Sequence, residues 1–317
     1  MPAHLGNELT KTRHTEPNAS TDPSKVTLPE GYTVIITGAG KGIGQYIARA
    51  YAQARASNVI ITARTYSDLD QVKSDLEQIA QTNGTSITVR TFASDASKLE
   101  TFQELRSIVE KEFSGRLDCL VNNAGSLGSN SGFNRLDQTD PLEHAQLFEL
   151  NYLGPMYAMQ QLIPVMTQPQ SKGRLIINIT SMAAHMTNRV PIAYATSKHA
   201  LNRLTQHIGE TYQQEGLNCI ALHPGGVMSY SAQFVPDAMK ASKCSFCQYP
   251  RREQSDIRHP VLKDDITLCG AVCVWFSKEH RPWASGRFIN CKWDVDELEA
   301  QKDGITGEDK LKFRMVV

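Results

Sequence analysis

The sequence predicts a doubly wound, mostly parallel α/β fold of about seven strands with helices on both faces, and three observations carry that expectation. Short β-branched or apolar runs recur at 34–36, 59–61, 87–89, 117–121, 175–179, 218–222 and 288–289. Most of the intervals between them are long enough for a helix, the alternation that produces a parallel sheet covered on both faces. The first run passes directly into Thr37-Gly38-Ala39-Gly40-Lys41-Gly42-Ile43-Gly44 and then into an apolar helical pattern through Ile47, Ala48 and Tyr51.

Composition bounds what such a fold serves. With 317 residues, 40% hydrophobic, the chain is long enough to bury a large core, and 33 Lys+Arg balance 33 Asp+Glu. Zero net charge gives no basic footprint for nucleic acid. No apolar stretch reaches the roughly 18 residues that a membrane span needs, and the first 30 residues lack the apolar centre of a secretory signal. A cytoplasmic protein is expected. Seven cysteines, an odd number, fit reduced thiols better than a disulfide framework. Cys244-x-x-Cys247 with Cys269 and Cys273 hints at zinc, but the second pair lies in the apolar run 268–276, which reads as a packed helix, so no metal is expected.

Along the chain, residues 1–30 are polar and aperiodic and are expected to form a mobile tail. Residues 31–292 form the folded domain. Ser67 and Asp70 read as a capping box for a helix carrying Val72, Leu76 and Ile79, and another helix is expected over 192–215. The interval 226–262 has no strand pattern and mixes aromatic, Met and Pro residues, as a substrate loop or lid does. Residues 293–317 are read as a C-terminal arm docked on the surface by its apolar side chains.

Three motifs carry chemistry. Gly38, Gly42 and Gly44 let the backbone turn tightly and approach a pyrophosphate at a helix N-terminus, and the strand–turn–helix order favours dinucleotide binding over a purely structural turn. The second strand ends in Ala63-Arg64-Thr65, with no carboxylate to take a ribose 2′-hydroxyl. Arg64, with Lys41 in the glycine loop, suits a 2′-phosphate instead, so NADP(H) is the expected cofactor. Tyr194 and Lys198 stand four residues apart on one helix face. A neighbouring ammonium is expected to lower the phenol's pKa and make Tyr194 a general acid or base.

Taken together, these residues resemble the short-chain dehydrogenases/reductases over about 32–290. Besides Thr37 to Gly44 and Tyr194-x-x-x-Lys198, the match includes Asn122-Asn123-Ala124-Gly125, Asn151-Tyr152-Leu153-Gly154, Ser181 thirteen residues before Tyr194, and Pro224-Gly225-Gly226-Val227. The segment Trp293-Asp294-Val295-Asp296-Glu297-Leu298 is similar to fungal members associated with secondary metabolism. The resemblance implies a Rossmann-like domain moving hydride between NADP(H) and a ketone, aldehyde or secondary alcohol. In it Tyr194 donates the proton, Ser181 orients the carbonyl, Lys198 holds the ribose and tunes Tyr194, and Asn151 anchors a relay water.

The implied cofactor contacts are Gly38, Lys41, Gly42, Ile43, Gly44, Arg64, Asp95, Asn123, Tyr194, Lys198, Val227 and Ser229, and a homodimer or homotetramer is implied as well. A non-catalytic dinucleotide-binding protein and an enoyl reductase or epimerase remain as alternatives. Ala96 after Asp95 and His223 before Pro224 depart from the usual pattern. His223 reads as a hydrogen-bonded strand-end residue, and His185 as either substrate-facing or a surface or hydrogen-bond-satisfied histidine.

Overall fold

The computed structural model describes residues 9–129, 135–187, 190–228 and 262–315. Seven strands form one parallel sheet: β1 (Thr33–Thr37), β2 (Asn58–Ala63), β3 (Thr88–Ala93), β4 (Cys119–Asn122), β5 (Leu175–Ile179), β6 (Asn218–His223) and β7 (Phe288–Asn290). Their order is β3-β2-β1-β4-β5-β6-β7, so the chain reverses its winding between β1 and β4. The crevice beyond the carboxyl ends of those two strands is where such sheets bind ligands. Each of the seven expected runs lies in or overlaps one of these strands.

Among the described residues the α-helices are α1 (Gly42–Gln53), α2 (Tyr66–Thr82), α3 (Leu99–Glu112), α4 (Pro141–Phe148), α5 (Gly154–Met166), α6 (Ile192–Thr211), α7 (Leu268–Lys278), α8 (Val295–Ala300) and α9 (Lys302–Gly307). None of the helices among the described residues is long and apolar enough to cross a membrane. Alternation along β1 divides the core. Val34 and Ile36 face α1, α2 and α7, with Ile47, Leu69, Val72, Leu76 and Val272, while Ile35 faces α3 and α5, with Phe102, Leu105, Ala158 and Leu162. Cys269 and Cys273 are buried on α7, as the packed-helix reading has it. Cys244 and Cys247 lie outside the described residues.

Three expectations are corrected. The capping box does not form: α2 begins one residue before Ser67, Thr65 occupies the cap position, and no side chain caps the helix. The segment expected as a tail is laid against the body from residue 9 onward. Val26 and Leu28 are buried in the core, Arg13 bridges to Trp293, and His14 pairs with Asp294 at 2.8 Å. Lys11 and Thr12 N–H groups donate to Glu297. Polar composition hid this because the partner is distant in sequence. The C-terminal arm also goes deeper than a surface dock, since Trp293, Val295, Leu298 and Ile305 are fully buried in the same core.

Candidate active site

The glycine turn is built as the sequence requires. Gly38 (φ +65°) and Gly42 (φ +58°) occupy left-handed backbone conformations, and a Cβ on Gly38 would lie 2.8 Å from Ala124 Cα. A Cβ on Gly44 would lie 2.5 Å from Asn123 Nδ2. Asn123 explains that crowding: its amide donates to the carbonyls of Thr37 (2.9 Å) and Gly38 (3.1 Å), tying β4 to the turn. The first turn of α1 has no acidic residue and no side-chain cap, so its backbone N–H groups are open to an anion, as a dinucleotide pyrophosphate needs. The residues present therefore fit the cofactor that the turn predicts. Ile43 is half-buried beside this turn and packs on the core.

Arg64 is exposed at the end of β2. Lys41, also exposed, is paired with Asp68 at 3.1 Å. That acid, in the first turn of α2, packs so closely that a Cβ on Gly40 would lie 3.0 Å from Asp68 Cβ. Sequence reasoning found no carboxylate at the end of β2; the fold supplies one from the following helix. Asp95 is exposed past β3. Burial raises its pKa, but hydrogen bonds from Ser97 and the charges of Lys98 and Arg64 outweigh this and hold it below the usual value. Ala96 is buried, and its carbonyl abuts Gly154 where any side chain would clash.

The catalytic candidates meet at the ends of β4 and β5. Ser181 begins the 3₁₀ turn Met182–His185, its Oγ accepting from Ala183 N–H (3.1 Å), and its hydroxyl is within hydrogen-bonding reach of Tyr194. Tyr194 is half-buried on α6. Burial raises its pKa and the Ser181 hydrogen bond only partly offsets this. This reverses the expected direction: the low-polarity surroundings outweigh the Ser181 bond, and the phenol stays protonated at neutral pH.

Lys198 is 4% exposed and its Nζ donates to Ile179 O (2.8 Å), 6.0 Å from the Tyr194 ring centroid. Burial lowers its pKa to about 8. Asn151 lies in a π-helical segment, Glu149–Leu153, between α4 and α5. Its amide accepts from Ser126 N–H (2.9 Å) and donates to Ser126 O (2.9 Å) and Ser197 Oγ (3.1 Å). With both N–H groups engaged, the side chain braces the loop after β4 against α6. Gly125 sits between the two: a Cβ there would lie 3.0 Å from Asn151 Oδ1 and 3.3 Å from Lys198 Nζ.

Val227 is buried just past β6, and Ser229 lies outside the described residues, as does most of the expected 226–262 loop. His223 is the strand-end residue expected: its Nδ1 accepts from Met182 N–H (3.2 Å), and burial, with the nearby charges of Lys292, His185 and Arg13, lowers its pKa to about 3. His185 is stacked on Phe313 (4.7 Å) and edge-on to Phe288 (4.5 Å), a packed position that the sequence did not suggest. Sequence reasoning missed Ser126, Ser197 and Asp68. Ser197 alone had a local signal, one residue before Lys198 on the helix turn that carries Tyr194.

A sheet wound in this order, with a glycine turn after β1 and a Ser–Tyr–Lys cluster beyond β5, defines a nucleotide-dependent oxidoreductase class. The chain belongs to the short chain dehydrogenase family, whose model matches residues 32–239. It is 47% identical to Short chain dehydrogenase pgmD of Aspergillus terreus over 319 aligned residues, covering 100% of this chain and 96% of that protein. It is 33% identical to Short chain dehydrogenase citE of Monascus ruber, covering 90% and 89%. A 3-oxoacyl-[acyl-carrier protein] reductase from Brucella melitensis shares the fold with a TM-score of 0.65 at 21% identity, covering 83% of this chain and 96% of that one.

Proposed function

We propose that the protein is an NADP(H)-dependent carbonyl reductase, working on a ketone or aldehyde or the corresponding secondary alcohol in fungal secondary-metabolite biosynthesis, as a cytosolic homo-oligomer. The observation that carries the reading is a protonated, desolvated phenol within reach of a serine hydroxyl and beside a buried lysine. Likeness to fungal short chain dehydrogenases along nearly the whole chain supports the biosynthetic setting.

In this reading the substrate oxygen accepts hydrogen bonds from Ser181 and Tyr194. As charge develops on that oxygen, Tyr194 passes it a proton, and the remaining phenolate is stabilised by Lys198, which is still mostly cationic at pH 7 because its pKa is about 8. The nicotinamide cofactor, when bound, supplies or takes the hydride. Gly38, Gly42, Ile43 and Gly44 hold its pyrophosphate, Arg64 and Lys41 the 2′-phosphate, Asp95 the adenine, and Asn123, Val227 and Ser229 the nicotinamide side. Asn151 keeps the loop after β4 in register with α6.

The test follows nicotinamide absorbance against a library of carbonyls and alcohols, with product analysis. Tyr194→Phe is expected to lower kcat by roughly 10²- to 10⁴-fold while cofactor affinity is kept. Near-normal turnover in that variant removes the proposed acid. Cofactor binding without hydride exchange on any compound favours a regulatory dinucleotide-binding protein, and C=C reduction or epimerised product favours the other enzymatic alternatives.

A further inference from the structure

Beyond β6 the chain turns through Pro224-Gly225-Gly226-Val227, and Gly226 meets Asp264 from far along the sequence. Gly226 N–H donates to Asp264 Oδ2 (2.6 Å), and Asp264 N–H donates back to Gly226 O (3.0 Å). The other carboxylate oxygen, Oδ1, takes the Lys292 ammonium. The side chains of Asp264 and Lys292 are 4% and 18% exposed. Gly225 has φ +89°, and a Cβ on it would lie 2.9 Å from Asp264 Oδ2, so the turn and the carboxylate are fitted to each other.

Lys292 is itself held between β7 and the N-terminal segment. Its N–H donates to Asn290 Oδ1 (3.0 Å) and its carbonyl accepts from His14 N–H (2.8 Å). A buried ion pair contributes little net stability compared with an apolar pair of similar volume. A backbone-directed carboxylate does more for geometry, because it removes the freedom of a two-glycine turn that would otherwise be among the most flexible of the chain.

We infer that Asp264, held in place by Lys292, is a positioning residue that fixes the Gly225–Gly226 backbone in the conformation that admits the nicotinamide half of the cofactor. The inference rests on the cofactor reading above. Asp264 touches no reacting atom; it acts through the turn.

The test compares two double variants that both remove the charge pair, so that neither leaves a buried unpaired ion. Asp264→Asn/Lys292→Met keeps an acceptor for Gly226 N–H, whereas Asp264→Leu/Lys292→Met has none. Binding of NADPH and NADH is read from nicotinamide fluorescence, and folding from melting temperature. The Asn variant is expected to keep its Kd within about threefold of wild type, and the Leu variant to weaken it about tenfold, the scale of a buried N–H left unpaired. Melting temperatures of the two are expected to agree within a few degrees.

Equal Kd values for the two variants would overturn the inference, because the Gly226 bond would then have no bearing on cofactor binding. So would a loss of affinity that merely follows a loss of folding. Failure of the wild-type protein to bind either nucleotide sinks the cofactor reading itself, a result distinct from equal affinities in the variants.

Discussion

Replacing Lys198 by Met is expected to make the cofactor-free protein more stable while abolishing turnover. The ammonium is 4% exposed, and burial alone takes its pKa from the ordinary 10.5 to about 8. At about 1.4 kcal/mol for each tenfold change in proton affinity, that displacement corresponds to about 3 kcal/mol of disfavour for the charged form. Losing the 2.8 Å bond to Ile179 O gives back about 1 kcal/mol. A net gain of about 2 kcal/mol, or a melting temperature a few degrees higher, follows at pH 7.

The pH dependence supplies the sharper check. Between about pH 8 and 10.5 the unfolded lysine is protonated and the buried one is not, so wild-type stability rises with pH across that window through this group. Met does not titrate. The variant therefore leads by about 2 kcal/mol below pH 8, and by about pH 10.5, where the wild type has regained about 3 kcal/mol, the lead has passed through zero and reversed by about 1 kcal/mol. Urea unfolding at pH 7 and pH 10 measures it. A wild-type protein more stable than the variant at pH 7, or a gap that ignores pH, refutes the claim that a desolvated charge is stored under Tyr194. Such stored cost is common where activity needs a buried ionised group.

Arg64→Asp is expected to move preference from NADPH toward NADH, since a carboxylate repels a 2′-phosphate and accepts from a 2′-hydroxyl; unchanged ratios of the two kcat/KM values reject the role of Arg64. Asp68→Asn removes the carboxylate that pairs with Lys41 and is expected to tighten NADPH binding several-fold with little change for NADH, measured by titration; weaker NADH binding instead would make Asp68 a ribose ligand. Deleting residues 1–20 removes the His14–Asp294 pair and the bonds to Glu297 over the buried Trp293 and Leu298. It is expected to lower the melting temperature by several degrees, and an unchanged value would mean that this strap contributes nothing.

What the sequence made legible and what it hid divide along a physical line. The strands were readable because β-branched runs buried on both faces of a parallel sheet need no partner information. The glycine turn was readable because its backbone conformations exclude other residues, and Tyr194 and Lys198 because helical spacing alone makes them neighbours. Contacts closed over long distances were not. Gly226 with Asp264, Lys41 with Asp68, and His14 with Asp294 leave no local pattern, and a polar N-terminal stretch looks the same whether or not Asp294 and Glu297 await it.

The acidity of Tyr194 is a different kind of miss. An i, i+4 spacing states that a cation is near but says nothing about the dielectric between the groups or the depth at which both lie. With Lys198 buried and bonded to Ile179 O, the same low-polarity surroundings that depress the ammonium also raise the phenol. The proton is thereby held on Tyr194 at neutral pH. A raised pKa keeps the phenol protonated at neutral pH but also makes it a weaker acid, so proton release would depend on Lys198 stabilising the phenolate as charge grows on a bound oxygen.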